Sequence, residues 1–204
     1  MFELSIPKAA LVIVDMQNDF VREGAPMQVE DAKATIEPTQ RLIEFARKNE
    51  MPVIFTKFLI GPCHTFLWDW SPQAAEFHNC LRGYERYYPD IDKTVQCADV
   101  IDELKPILPE DYIIEKYGYS AFHNTNLFDV LISEGRDTII VTGTVTQICV
   151  GDTVHDAFHY AIKTVVASDC VSSFSELQQK ASLENFAKKY GMVMTSEEIM
   201  REFK

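Results

Sequence analysis

Three residues in this chain could do chemistry together: Asp15, Lys116 and Cys149. Each follows a run of apolar residues, in AALVIVD (9–15), YIIEK (112–116) and TIIVT (138–142) with its continuation to Cys149. A thiolate is a strong nucleophile, yet a free thiol is only a few per cent ionised near neutral pH. Cys149 sits where the strand-like run gives way to a helical pattern. Backbone N–H groups and the positive end of a helix there draw a thiol toward thiolate, and a nearby ammonium acts in the same direction. A carboxylate can take the thiol proton and later deliver it to a leaving amine. N–H groups of the turn could hold a developing oxyanion. Acid, ammonium and thiol together describe covalent acyl transfer.

The elements that must position them follow from the apolar pattern. Continuous apolar runs of this kind suit strands buried on both faces of a parallel sheet. Residues 52–56 (PVIFT) and 164–167 (TVVA) are two more, and 191–195 (GMVMT) reads as a sixth strand at an edge. Helical spacing fills the gaps: around 37–49 with Pro38 in the first turn, after Asn124 or Thr125, after Cys149, and over 175–190. After Cys149 the expected inward face is Val150, Val154, Ala157, Phe158 and Ala161, with His155 and His159 on the polar face. Over 175–190 the expected inward positions are Ala181, Phe186, Ala187 and Tyr190. Alternating strands and helices imply right-handed crossovers. The expected fold is α/β, a three-layer α/β/α arrangement around a mostly parallel, roughly six-stranded doubly wound sheet. Residues 1–204 read as one domain. In such sheets ligands bind beyond the carboxyl ends of the strands, which is where the three residues fall.

Residues 58–95 break the rhythm with Phe58, Phe66, Trp68, Trp70, Phe77, Tyr84, Tyr87 and Tyr88 among Pro and Gly. An aromatic insertion of this kind serves as a lid, a pocket wall or an oligomer contact.

Composition narrows the partners. A net charge of −12, from 31 acidic against 19 basic residues, disfavours nucleic acid and anionic membrane, which select basic patches. No segment approaches the about 20 apolar residues of a membrane helix, and the N-terminus lacks a charged leader. Five cysteines without a compact framework fit a reducing cytoplasm. Cys63, His64, His78 and Cys80 match no zinc-finger spacing. Cys97 and Cys170 read as packing residues. No glycine-rich phosphate loop follows the first strand, which argues against a nucleotide-binding domain.

ALVIVDMQNDF, EKYGYSAFHNTNL and VTGTVTQICVGDTVHDAF, in that order, resemble the isochorismatase-like cysteine hydrolases, a superfamily that includes nicotinamidases, N-carbamoylsarcosine amidase and ureidoacrylate amidases. The resemblance spans the chain outside 58–95. It implies Asp15 as general acid/base, Lys116 as its supporting charge and Cys149 as nucleophile. It also implies a cis peptide at Thr144–Val145, with the N–H groups of Val145 and Cys149 as the oxyanion hole. Nicotinamidases of the family carry an Asp-x-His metal motif where this chain has Lys57 and Phe58, so no metal and no cofactor are expected. Isochorismatases proper do not use this cysteine, so its presence favours C–N hydrolysis. The expected substrate is a small amide, carbamoyl or ureido compound, walled by candidate pocket residues Gln17, Phe20, Lys57, Trp68, Trp70, Tyr119 and Phe122. Family members are commonly oligomers, so a homodimer or homotetramer is expected. A metal-containing nicotinamidase, or a non-catalytic binding protein on the same fold, is the alternative.

Overall fold

β1 (Ala9–Val14) is buried at every residue, as a strand covered on both faces must be. In chain order there follow α1 (Asn18–Val21), α2 (Ile36–Lys48), β2 (Val53–Phe58), α3 (Leu67–Trp70), β3 (Glu85–Tyr88), β4 (Lys93–Gln96) and β5 (Tyr112–Lys116). The second half supplies α4 (Leu127–Ser133), β6 (Thr138–Thr144), α5 (Gly151–His159), β7 (Lys163–Ser172), α6 (Glu176–Lys189), β8 (Met192–Met194) and α7 (Ser196–Glu202). This computed structural model describes residues 2–61, 66–71 and 78–204, the side chains of residues 67 and 68 excepted.

The six strands form one sheet in the order β5-β2-β1-β6-β7-β8, parallel throughout. Strand alternation splits the core in two. Leu11, Ile13, Val53 and Phe55 pack with Leu42, Ile43 and Ala46 of α2 and Ile199 of α7. Ala10, Val12, Ile54 and Ile114 pack on the other face with Leu127 and Leu131 of α4, Val154 and Ala157 of α5, and Phe186 of α6. The result is the three-layer α/β/α sandwich expected, with β8 at an edge.

The order reverses between β1 and β6. From β1 the chain winds toward β2 and β5; from β6 it winds toward β7 and β8. The crevice beyond these two carboxyl ends is the switch point of the fold. There Val14 pairs with Gly143, whose φ is +103°, and a Cβ on it would lie 2.0 Å from the Val14 carbonyl oxygen. Only glycine lets the two strands close at that point.

Several expected faces are narrower than the periodicity implies. The buried stripe is Val150, just before α5, with Val154 and Ala157 on it, while Phe158 is 54% exposed and Ala161 is exposed. Phe158 falls beside the stripe and packs edge-on against Tyr190, 5.6 Å between ring centroids. His155 is not on the polar face: it is half-buried against Phe186 and Tyr190. α6 rests on Phe186, with Leu183 and Tyr190 beside it; Ala181 and Ala187 face outward. Within 58–95, β3 and β4 make an antiparallel hairpin with Glu85 opposite Gln96, an element the aromatic pattern does not announce. Among the described residues no helix is long and apolar enough to cross a membrane.

Candidate active site

The three chemical residues meet at the switch point. Asp15 leaves the end of β1 with φ +50°, a left-handed conformation that aspartate tolerates better than most residues. Lys116 ends β5 and reaches across β2, so that its Nζ lies 2.6 Å from Asp15 Oδ2, both side chains being fully buried. Lys116 also donates to the Gly118 carbonyl at 3.1 Å, and its Nζ stands 5.4 Å from the Phe58 ring centroid. Cys149, 4% exposed, contacts both charges through its thiol.

Between the two strands stands Thr56 of β2, which the motif reading passed over. Its hydroxyl accepts from the Asp15 backbone N–H at 3.1 Å and donates to Asp15 Oδ1 at 2.6 Å. One side chain thus fixes both the backbone and one oxygen of the aspartate. The other oxygen, Oδ2, is left to the ion pair and makes no aligned hydrogen bond.

The turn carrying the thiol has its own geometry. The Thr144–Val145 peptide is cis, and residues Thr146–Val150 form a π-type turn before α5 begins. The Val145 carbonyl accepts from Ile148 N–H at 2.9 Å and Val150 N–H at 3.2 Å, passing over the Cys149 N–H between them. Such π-turns recur at functional sites because they release a backbone group from the helical ladder. Thr153, one helical turn on, donates to the Cys149 carbonyl at 2.7 Å and accepts from Ala121 N–H at 3.0 Å. That clamps the loop after β5 to the turn.

Electrostatics depart from the sequence expectation of an already acidic thiol. Burial pushes the Cys149 thiol well up; Lys116 pulls it down and Asp15 pushes it further up. The net direction for the thiol is up. Burial alone would lower the Lys116 ammonium, but Asp15 first and Cys149 next raise it, and the net direction is up. That direction favours the charged form of the lysine beside the carboxylate.

The candidate pocket residues divide. Phe20, Phe58 and Tyr119 form a row, with ring centroids 6.5 Å apart for the first pair and 6.3 Å for the second. Tyr119 is half-buried beside Cys149. Gln17 is an internal clamp instead of a pocket wall: its amide donates to the carbonyls of Phe58 at 2.9 Å and Ala98 at 2.7 Å, and accepts from Phe58 N–H at 2.8 Å. Lys57 alternates with Thr56, so it points to the opposite face and pairs with Asp99 at 2.7 Å. Phe122 is buried and stacks on Tyr160, 5.3 Å between centroids, at the far end of α5. Trp70 is 73% exposed. Trp68 lies outside the described side chains.

A divalent metal does not fit the position where the family's Asp-x-His motif would stand. Lys57 there is a paired cation and Phe58 an aromatic ring over the ammonium. Among the described residues no group of three His, Cys, Asp or Glu side chains could hold a metal ion. Cys63 and His64 lie outside the described residues; His78 is exposed and Cys80 buried.

An acid, an ammonium and a thiol are thus gathered at the switch point of a parallel, three-layer α/β/α fold. Residues 9–198 match the model of the isochorismatase domain, and the chain belongs to that family. The ureidoacrylate amidohydrolase RutB of Rhizobium rhizogenes is 29% identical over 201 residues, covering 92% of this chain and 80% of the relative. Among solved structures, a cysteine hydrolase from Pseudomonas syringae pv. phaseolicola 1448A is similar at TM-score 0.87 and 28% identity, over 99% of this chain and 95% of its own. The N-carbamoylsarcosine amidase from Thermoplasma acidophilum follows at TM-score 0.75 and 28% identity, over 93% and 97%.

Proposed function

We propose that the chain is a cysteine-dependent hydrolase that cleaves an amide, carbamoyl or ureido C–N bond of a small molecule through a thioester. The observation that carries this reading is the buried contact of Asp15 with Lys116, at 2.6 Å, against the thiol of Cys149. The relatives named for amide hydrolysis support it.

The geometry supports the following sequence. Substrate carbonyl carbon approaches Cys149 Sγ, and as the C–S bond forms the thiol proton passes to Asp15. This order suits a thiol whose ordinary ionisation is suppressed by burial. Lys116 keeps its proton and balances the charge moving through the carboxylate. Oxygen of the carbonyl becomes an oxyanion facing the N–H groups of Val145 and Cys149, donors typically worth about 2.7–4 kcal/mol each. Asp15 then hands the proton to the departing nitrogen, and the C–N bond breaks to leave an S-acyl enzyme. Water, deprotonated by Asp15, attacks the thioester carbon, and Sγ leaves with the proton restored. No metal or cofactor takes part.

In this reading residues 1–204 are one hydrolase domain, working as a homodimer or homotetramer in the cytoplasm. Free thiols at Cys80, Cys97, Cys149 and Cys170 fit a reducing compartment. Phe66 and Trp70 of the insertion, 86% and 73% exposed, fit a contact between copies.

Hydroxylamine tests the chemistry. With an amide or ureido substrate present, the wild type should release ammonia and divert its acyl group to a hydroxamate, and Cys149→Ala should do neither. Turnover that survives Cys149→Ala, or ammonia release with no hydroxamate, would remove the thioester. No turnover at all, with Cys149 inert to alkylation across pH, would leave a binding protein.

A further inference from the structure

Thr56 has a counterpart two residues along β2. Phe58 ends that strand, is 5% exposed, and stands in register with Lys116 of β5. Partners on adjacent parallel strands turn their side chains to the same face of the sheet. Lys116 crosses β2 on that face to reach Asp15 beyond β1, and its ammonium comes to lie 5.4 Å from the centre of the Phe58 ring. We propose that Phe58 is a positioning residue for the reaction: the π face of its ring keeps the Lys116 ammonium seated while Asp15 carries the thiol proton. The inference rests on the hydrolase reading above and adds to it a residue that acts through Lys116.

A fully buried ammonium needs partners for its charge. Two are oxygens, Asp15 Oδ2 at 2.6 Å and the Gly118 carbonyl at 3.1 Å; the thiol of Cys149 is a third. Asp15 and Cys149 both change charge during turnover. Once Asp15 has taken the proton it no longer attracts the ammonium as an ion, and an acylated sulfur does not either. The Gly118 carbonyl and the Phe58 ring are partners that never titrate. An ammonium within about 6 Å of a ring centroid is drawn to the negative face of the ring, and desolvation strengthens that attraction. The ring itself is held firmly. Gln17 grips the backbone of Phe58 on both sides, accepting from its N–H at 2.8 Å and donating to its carbonyl at 2.9 Å. Phe20 and Tyr119 flank the ring, with centroids at 6.5 Å and 6.3 Å. The next residue, Leu59, donates its N–H to the Lys116 carbonyl at 2.9 Å, which ties the chain beyond the ring to the backbone of the lysine. An aliphatic side chain at this position would fill the space and offer the ammonium nothing.

Fluorine tests the assignment, because it drains the π face while barely changing the size of the ring. Phe58 is replaced by monofluoro- and trifluorophenylalanine, each in the wild type and in Lys116→Met. The first readout is the rate at which iodoacetamide alkylates Cys149, with peptide mass spectrometry locating the adduct. In that reaction the bond from Sγ to the reagent carbon forms, iodide leaves and the thiol gives up its proton, so no substrate is needed. The second readout is ammonia release from butyramide, nicotinamide and N-carbamoylglycine. Alkylation of Cys149 should slow by about threefold with one fluorine and about tenfold with three. For any of the amides turned over, kcat should fall in step while KM changes little. In Lys116→Met alkylation should be slow and independent of fluorine. Rates flat across the series, or the same fluorine dependence in Lys116→Met, would overturn the proposal and leave Phe58 as packing. Ammonia from none of the three amides, with the alkylation trend intact, would count against the hydrolase reading and leave the positioning of Lys116 standing.

Discussion

Two aspartates four residues apart, Asp15 and Asp19, are both fully buried, and the protein treats them differently. Asp19 is saturated: Oδ1 accepts from Arg86 Nε at 2.9 Å and the Tyr88 hydroxyl at 2.7 Å, and Oδ2 accepts from Cys80 N–H at 2.8 Å. These donors tie α1 to β3 of the hairpin and to Cys80 before it. Asp15 has one oxygen held by Thr56 and the other only ion-paired. A buried carboxylate with both oxygens held by fixed donors is a structural joint, because protonating it means losing bonds. One with an oxygen held only by an ion pair can take and return a proton with no such loss. The contrast separates carboxylates that look alike in the stretch DMQND.

Asp15→Asn should therefore break the comparison at its strongest point. Removing the proton acceptor should lower turnover by about a thousandfold per folded molecule, while substrate binding to the variant persists. Asp19→Asn should lower stability by about 2–3 kcal/mol through the lost bonds to Arg86 and Tyr88, yet leave turnover per folded molecule within a few-fold of wild type. Urea melts and active-site-normalised kcat separate the two. Equal losses of kcat in both variants would mean that both carboxylates act on the reaction, and the distinction drawn from their partners would fail.

Thr56 sharpens the same contrast at smaller amplitude. Thr56→Val removes both bonds to Asp15 but keeps the shape of the side chain, so kcat should fall by about 10- to 100-fold with KM little changed, the loss tracking a misplaced base. Thr56→Ser retains the hydroxyl and should recover most of it. If serine rescues nothing, the threonine acts through packing.

Much of this was legible in sequence. The apolar run ending at Asp15 was continuous because β1 is buried on both faces, whereas YIIEK, on the edge strand β5, alternates between buried and exposed residues; the change from an apolar run to a helical pattern around Cys149 marked the strand-to-helix transition. Thr56 and Thr153 were not legible, since a threonine in a strand or helix reads as a β-branched filler until its hydroxyl finds a partner distant in sequence, here 41 and 32 residues away. Asp19 was hidden for the same reason: its donors come from residues 80, 86 and 88, inside the insertion. Gln17, Lys57 and Phe122 stood near the motifs, but facing is set by strand alternation and packing, which spacing in a loop does not report. Phe158 misled because helical periodicity marks an apolar angle without saying where the neighbouring layer stops.

The smallest expected effect concerns the thiols beside Asp19. Burial first, then Asp19 itself, raises Cys97 to about 12 and pushes Cys80 well up; burial and Asp169 raise Cys170 to about 12. Each folded thiol keeps its proton at a pH where the unfolded thiol, near its ordinary 9.0, has lost it. Above pH 9 the unfolded chain binds fewer protons than the native one, so stability falls as pH rises toward 12. Lys116, also raised, acts with the same sign at higher pH. By pH 10 the loss is about 1 kcal/mol for each thiol that stays protonated in the fold. Asp19→Asn removes one of the charges that hold Cys80 and Cys97 up, so its stability should fall a few tenths of a kcal/mol less between pH 8 and pH 10 than that of the wild type, from a lower starting point. Urea midpoints at the two pH values read this directly. Parallel losses in both proteins would mean that burial alone sets these thiols and that the Asp19 charge is neutralised by Arg86 and Tyr88 as seen from the sulfur atoms.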